Sequence, residues 1–242
     1  MVIKQNTRSG KIKPKGACVM SMQKSEIKLE VNGKPVNSYL ASSAGGGPGV
    51  LVLPSWWGLK PYFKQVCDRL AGHGYMALAP DYYNGRIANT IDEAKALQQE
   101  AESDLDAMRS LVKAAKEHLA TLGTGKSLGI VGFSMGTDWA VMTAAEELDI
   151  AATVLFYGGW SVDFSKMRSK VLGHYAETDE WYPFDNAKEM EQNMKDAGVD
   201  VTLHLYPGTA HWFMEEDRPE YDPAAASLAW ERTLRFLKES LG

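Results

Sequence analysis

The sequence predicts an α/β fold: a three-layer sandwich with a mostly parallel central sheet and an antiparallel hairpin at its N-terminal edge. Two observations carry this. From about residue 50 onward, short continuous apolar runs alternate with helical stretches. A strand apolar along its whole length is covered on both faces, as in the middle of a parallel sheet. Ahead of these runs, residues 25–31 and 34–41 alternate apolar and polar side chains around Asn32-Gly33, the pair favoured by a two-residue hairpin turn.

In chain order, residues 1–24 carry Lys4, Arg8, Lys11, Lys13, Lys15 and Lys24 with no acid among them. They also lack the apolar stretch of about 7–15 residues that a secretory signal needs. A flexible basic leader, or an early start ahead of Met20 or Met22, is expected there, followed by a single domain over 25–242. The hairpin leads into a glycine-rich linker at 44–48. Apolar runs at 50–53, 75–79, 128–131, 152–157, 171–175 and 201–206 are the expected strands of the central sheet. Helical stretches at 60–72, 91–122, 136–148 and 184–197 lie between them. The last helix opens at Asp222, a capping residue, with Pro223 in its first turn. Its Trp230, Leu234, Leu237 and Leu241 recur at helical spacing. No internal repeat or second domain is visible.

A chain of 242 residues fits one large domain. Its net charge of −5 argues against nucleic acid as a partner. No apolar run approaches the roughly 18 residues that cross a membrane. Cys18 and Cys67 make neither a disulfide scaffold nor a paired metal site. A cytoplasmic protein with no nucleic-acid or membrane partner is the resulting expectation.

The chemistry is concentrated in Gly132-Phe133-Ser134-Met135-Gly136, directly after the buried run 128–131. G-x-S-x-G between a strand and a helix is a nucleophile elbow, a turn sharp enough to hold the serine in a strained conformation with its hydroxyl outward. Gly132 and Gly136 are needed where a Cβ would collide with a neighbouring strand or the helix start. That helix start also offers N–H groups and a positive dipole end to a developing oxyanion.

An unassisted serine hydroxyl is a poor nucleophile, so a base is required. His73, His118, His174 and His204 fall in a helix-ending turn, on a polar helix face and within strands, where structural roles are expected. His211 follows the last strand, at the sheet edge where functional groups of open α/β folds collect. The acid is expected after the strand at 171–175. Asp179 fits, with Glu177 and Glu180 competing beside it. Ser134, Asp179 and His211 then stand in the chain order of α/β-hydrolase triads. By position and analogy, the backbone N–H groups of Trp56 and Met135 are assigned to the oxyanion hole. Trp56, Trp57, Trp160, Trp181 and Trp212 lie on segments expected at the same edge, joined by Tyr82 and Tyr83. They predict an aromatic-lined pocket for an apolar or aromatic substrate, with at least two of them filling loop cores instead. No G-x-G-x-x-G, P-loop or histidine–carboxylate cluster is present, so no cofactor or metal is expected.

Together these residues resemble the dienelactone hydrolase family of α/β-hydrolases from about Ser25 to the C-terminus. The resemblance is carried by Trp57-Gly58, Ala79-Pro80-Asp81-Tyr82-Tyr83, the elbow, Phe156-Tyr157-Gly158, Asp179 with Pro183, and Gly208-Thr209-Ala210-His211-Trp212-Phe213. It implies the fold and a hydrolytic site. Archetypal members use a cysteine where Ser134 stands and a glutamate, which takes part in activating the thiol, where Ser55 stands. Losing both together is coherent, because a serine uses His211 directly. Those enzymes also hold a substrate carboxylate with two arginines. Arg86 stands near one position, as an anchor or as a surface cation, and Glu215 near the other with the opposite charge. Ser55, Trp57, Tyr82, Arg86, Trp160, Trp181 and Trp212 are the expected substrate contacts. The expected activity is hydrolysis of a small ester or lactone through an acyl-enzyme. An acyltransferase, a peptidase or a retired ligand-binding scaffold would share the same residues; acceptor alcohols, peptide substrates and a fluorophosphonate probe separate them.

Overall fold

The computed structural model describes residues 22–123 and 127–242. The leader expected over 1–24 lies outside them as far as residue 21, and its last three residues belong to the sheet. Strand β1 (Met22–Val31) sets Met22, Gln23 and Lys24 against Ser43, Ser42 and Ala41 of β2 (Lys34–Ser43). Lys24 Nζ meets Asp68 Oδ2 at 2.6 Å, an acid 44 positions away that no local reading pairs with it. Asn32 and Gly33 join the two strands with φ of 50° and 75°, the positive values of a primed turn whose twist suits the hairpin.

Six more strands complete the sheet: β3 (Gly49–Leu53), β4 (Met76–Pro80), β5 (Leu128–Phe133), β6 (Ile150–Phe156), β7 (Lys170–Thr178) and β8 (Val201–Ala210). The order is β1-β2-β4-β3-β5-β6-β7-β8. The pairs β1/β2 and β2/β4 are antiparallel, and every pair from β4/β3 to β7/β8 is parallel. The fold is therefore the expected α/β-hydrolase sandwich with an antiparallel N-terminal edge.

Helices cover both faces. On one side α1 (Pro61–Gly72) and α6 (Pro223–Leu241) bury Phe63, Leu70, Trp230 and Leu237 with Val50 and Val52 of β3. On the other, α3 (Leu105–Leu122), α4 (Met135–Glu146) and α5 (Phe184–Asp196) bury Leu111, Trp139 and Met194 with Leu51 and Leu53. Successive residues of one strand point to opposite faces, and all five residues of β3 are buried. That explains why the run is apolar without alternation. Asp222 caps α6 as expected, its Oδ1 accepting from Ala225 N at 2.8 Å.

The single helix expected over 91–122 is two. The first, α2 (Ile91–Glu102), ends at Ser103, and Asp104 then leaves helical geometry at φ −135° to cap α3. Its Oδ1 accepts from Ala107 N at 2.9 Å. An aspartate that can satisfy a free helix N–H competes with helix continuation. Among the described residues no helix is long and apolar enough to cross a membrane.

Candidate active site

Parallel strands end at one edge of a sheet, so residues that follow different strands are gathered there. Trp56 comes after β3, Ser134 after β5, Tyr157 after β6, Asp179 after β7 and His211 after β8.

Ser134 sits at φ 49° as the N-cap of α4. For a residue with a Cβ, this left-handed conformation costs about 1–3 kcal/mol and persists only when the surroundings impose it. Here they do. Ser134 N donates to Phe156 O at 2.9 Å, and its own carbonyl accepts from Thr137 N at 2.8 Å and Thr137 Oγ1 at 2.5 Å. A Cβ on Gly132 would lie 2.6 Å from Gly136 O, and one on Gly136 would lie 2.6 Å from Pro54 O. Both glycines are thus fixed by close backbone approach. Tyr157 at φ 43° and Trp212 at φ 66° put two further strained residues beside the same serine.

A register shift aligns the other two groups. β8 advances from Tyr206 to Ala210 while β7 advances only from Ala176 to Thr178, so Thr178 and Ala210 are partners. The first residue beyond each strand is Asp179 and His211. His211 Nδ1 lies 2.7 Å from Asp179 Oδ2, and His211 Nε2 lies 2.9 Å from Ser134 Oγ. Asp179 Oδ1 accepts from Trp181 N at 2.9 Å and Tyr182 N at 2.8 Å. Both Asp179 oxygens therefore have donors, and the His211 and Asp179 side chains are 5% and 1% exposed. Of the competing acids, Glu177 accepts from Gly208 N at 2.8 Å, and Glu180 is exposed. A proton on Nδ1, toward Asp179, would leave the lone pair on Nε2 facing the serine hydroxyl.

The cleft over Ser134 has a volume of about 160 Å³. Trp56, Trp181 and Trp212 form its aromatic wall, with ring centroids 5.0, 5.6 and 6.1 Å apart. Met135 opens α4 beside them, where a first-turn N–H has no intrahelical acceptor.

The other expected contacts lie elsewhere. Ser55 and Trp57 are fully buried beneath the cleft. Trp57 is covered by the Arg218 guanidinium, 4.3 Å from the ring centroid. Tyr82 packs between the two cores on either side of the sheet. Arg86 faces solvent and is held by Glu100 through two bonds of 2.7 Å, as a surface cation already paired. Trp160 stands in a neighbouring groove that shares Met135 and Asp138 with the cleft.

Sequence reasoning missed Gln98, Asp138, Tyr157, Gly158 and Tyr182 in the cleft wall. Two of these were within reach. Asp138 is one helical turn beyond Ser134, hence on the same face, and Tyr157 follows β6 at the same edge.

Glu215 lies under the site with no exposed surface. Its Oε1 accepts from Tyr157 OH at 3.1 Å, and Ser55 Oγ is 3.5 Å from Oε2. The Tyr157 ring in turn packs on His211 at 4.8 Å. Burial, reinforced by Asp217, pushes the Glu215 carboxyl up to about 8, against the Tyr157 hydrogen bond, Lys60 and Arg218. A carboxyl raised on folding stabilises the fold fully below its unfolded value near 4.5 and loses that contribution as pH rises to about 8. Glu215→Gln keeps the shape and removes the charge. Urea unfolding should find it close to wild type at pH 5 and more stable at pH 9, by about a few kcal/mol. An unchanged pH dependence would contradict a buried, neutral Glu215.

The profile of the dienelactone hydrolase family matches residues 36–241. "Protein usf" of Aquifex pyrophilus is 34% identical over 226 residues, which span 89% of this chain and 98% of its own. A protein of Aquifex aeolicus that carries a carboxymethylenebutenolidase name is 32% identical over 226 residues, with the same 89% and 98% coverage. Among solved structures, a protein of Klebsiella pneumoniae that carries a dienelactone hydrolase name aligns over 90% of this chain and 99% of its own, at 25% identity and a TM-score of 0.75.

Proposed function

The chain belongs to the dienelactone hydrolase family, whose members are hydrolases of ester or lactone bonds, and from that premise we propose that it cleaves a neutral carboxylic ester or lactone through an acyl-enzyme on Ser134. One observation carries the reading: the continuous hydrogen-bonded line from Ser134 Oγ through His211 to Asp179, at 2.9 and 2.7 Å.

Ser134 Oγ attacks the carbonyl carbon as its proton passes to His211 Nε2. Asp179 holds the imidazole in the tautomer that can accept this proton and stabilises the cation that forms. The backbone N–H groups of Met135 and Trp56 hold the tetrahedral oxyanion, aided by the positive end of α4. One such donor contributes roughly 10²–10³ in rate where it has been measured. His211 then protonates the leaving alkoxide, and the C–O bond breaks to leave acyl-Ser134. Water, deprotonated by the same nitrogen, attacks the acyl carbon; the bond from that carbon to Ser134 Oγ then breaks, His211 returns the proton to Oγ, and the acid leaves.

A neutral substrate is favoured by the cleft wall, which holds no lysine or arginine among the described residues. Arg86 is committed to Glu100. Where archetypal members have their second arginine, this chain has the buried acid Glu215. The test is turnover of p-nitrophenyl acetate and butyrate by the wild-type protein beside Ser134→Ala. Equal turnover by both would remove the proposal.

A further inference from the structure

The cleft over Ser134 is small for a whole substrate: small-molecule sites typically enclose about 300–1,000 Å³, and it encloses about 160 Å³. It does not stand alone. Met135 and Asp138 are walls both of the cleft and of a neighbouring groove of about 440 Å³. Beyond this shared junction the groove is lined by Trp139, Met142, Leu105 and Trp160. Leu105 and Trp160 are large apolar side chains left 52% and 54% exposed, and they sit on two different segments that converge on one groove.

The cation at the rim of the groove is paired with an acid, and the rim acid has a neutral partner. Arg109 donates to Glu146 at 2.6 Å, and Glu102 accepts from Gln98 at 2.6 Å. At the junction, the Asp138 carboxyl is engaged in hydrogen bonding among the described residues only by Thr137 Oγ1, at 3.4 Å.

We propose that the groove is the second limb of the substrate site, and that it receives the uncharged apolar arm of an ester or lactone whose carbonyl lies at Ser134. The proposal rests on the serine-hydrolase reading and adds the class of substrate. Three features favour an uncharged arm. The far end is apolar. The cation at its rim, Arg109, is already paired. Burial, with Glu102 adding to it, raises the Asp138 carboxyl to about 8 against the Thr137 hydrogen bond, so at neutral pH the junction is a carboxylic acid. A substrate carboxylate passing this point would meet the acid Glu102 and a rim cation, Arg109, that is already paired with Glu146.

The test compares p-nitrophenyl octanoate with p-nitrophenyl acetate in the wild type, Trp160→Ala and Leu105→Asp. Both replaced side chains are exposed, and an acid at position 105 suits the first turn of α3. Each methylene that enters an apolar groove is worth about fourfold in kcat/KM. The wild type should therefore prefer octanoate by at least about tenfold. Either substitution should lower the octanoate-to-acetate ratio by about tenfold, mainly through KM for octanoate. A wild type with no preference for chain length, or variants with an unchanged ratio, would overturn the groove and leave the serine chemistry standing. If the wild type turns over neither ester, the serine reading itself falls. The groove is then judged by tryptophan fluorescence of Ser134→Ala titrated with p-nitrophenyl octanoate. Saturable quenching that Leu105→Asp removes would sustain it; no quenching would overturn it.

Discussion

Ser134→Ala is expected to lower kcat for p-nitrophenyl acetate by roughly 10⁵–10⁶, the scale seen when a triad nucleophile is removed. The loss is chemical rather than structural. Alanine keeps the Cβ and adopts the same strained backbone, whose hydrogen bonds to Phe156 and from Thr137 involve only main-chain atoms of residue 134. What disappears is Oγ, and with it the acceptor of the acyl group. Met135 N–H and the α4 dipole remain, so slow water attack on a bound ester should survive as a small residue of activity. The melting temperature should stay close to that of the wild type. A variant retaining a tenth of the activity would mean that another group is the nucleophile.

The second large effect is Asp179→Asn, expected to lower kcat by about 10⁴. In the wild type Oδ1 takes two backbone N–H groups and Oδ2 takes His211 Nδ1–H. An asparagine there keeps its carbonyl on the two backbone donors and turns its NH₂ toward His211. Nδ1 then has to accept, the ring proton moves to Nε2, and Ser134 faces a donor instead of a base. The side-chain volume is unchanged, so the fold should persist. Glu180→Gln serves as the control for the neighbouring acids. Comparable losses in the two variants would reject Asp179 as the group that orients the imidazole.

Much of this site was legible because its signals are local. The elbow is five consecutive residues, and chain order alone places Ser134, Asp179 and His211 after separate parallel strands. The hairpin was legible in Asn32-Gly33 for the same reason. What the sequence left open is direction and long-range pairing. Trp56 and Trp57 are neighbours, yet one ring joins the cleft wall and the other lies beneath it against Arg218. No periodicity in a short irregular loop distinguishes them. Arg86 reads as a free cation until the fold of α2 brings Glu100 to it. The split between α2 and α3 turned on whether Asp104 would cap or continue, a choice that the amphipathic pattern on either side hid. Glu215 read as an acid in a cation's place. Its burial is a property of the fold, which leaves it no exposed surface and sets Tyr157, 58 positions away, to donate to it.

The central claim is that Ser134 forms the covalent intermediate. The most direct measurement is reaction of the wild-type protein with a fluorophosphonate probe, followed by proteolysis and mass spectrometry. The expected result is one adduct per chain, on the peptide containing Ser134, absent from Ser134→Ala and strongly slowed in His211→Ala. No adduct on the wild type, or an adduct that persists in Ser134→Ala, would contradict it.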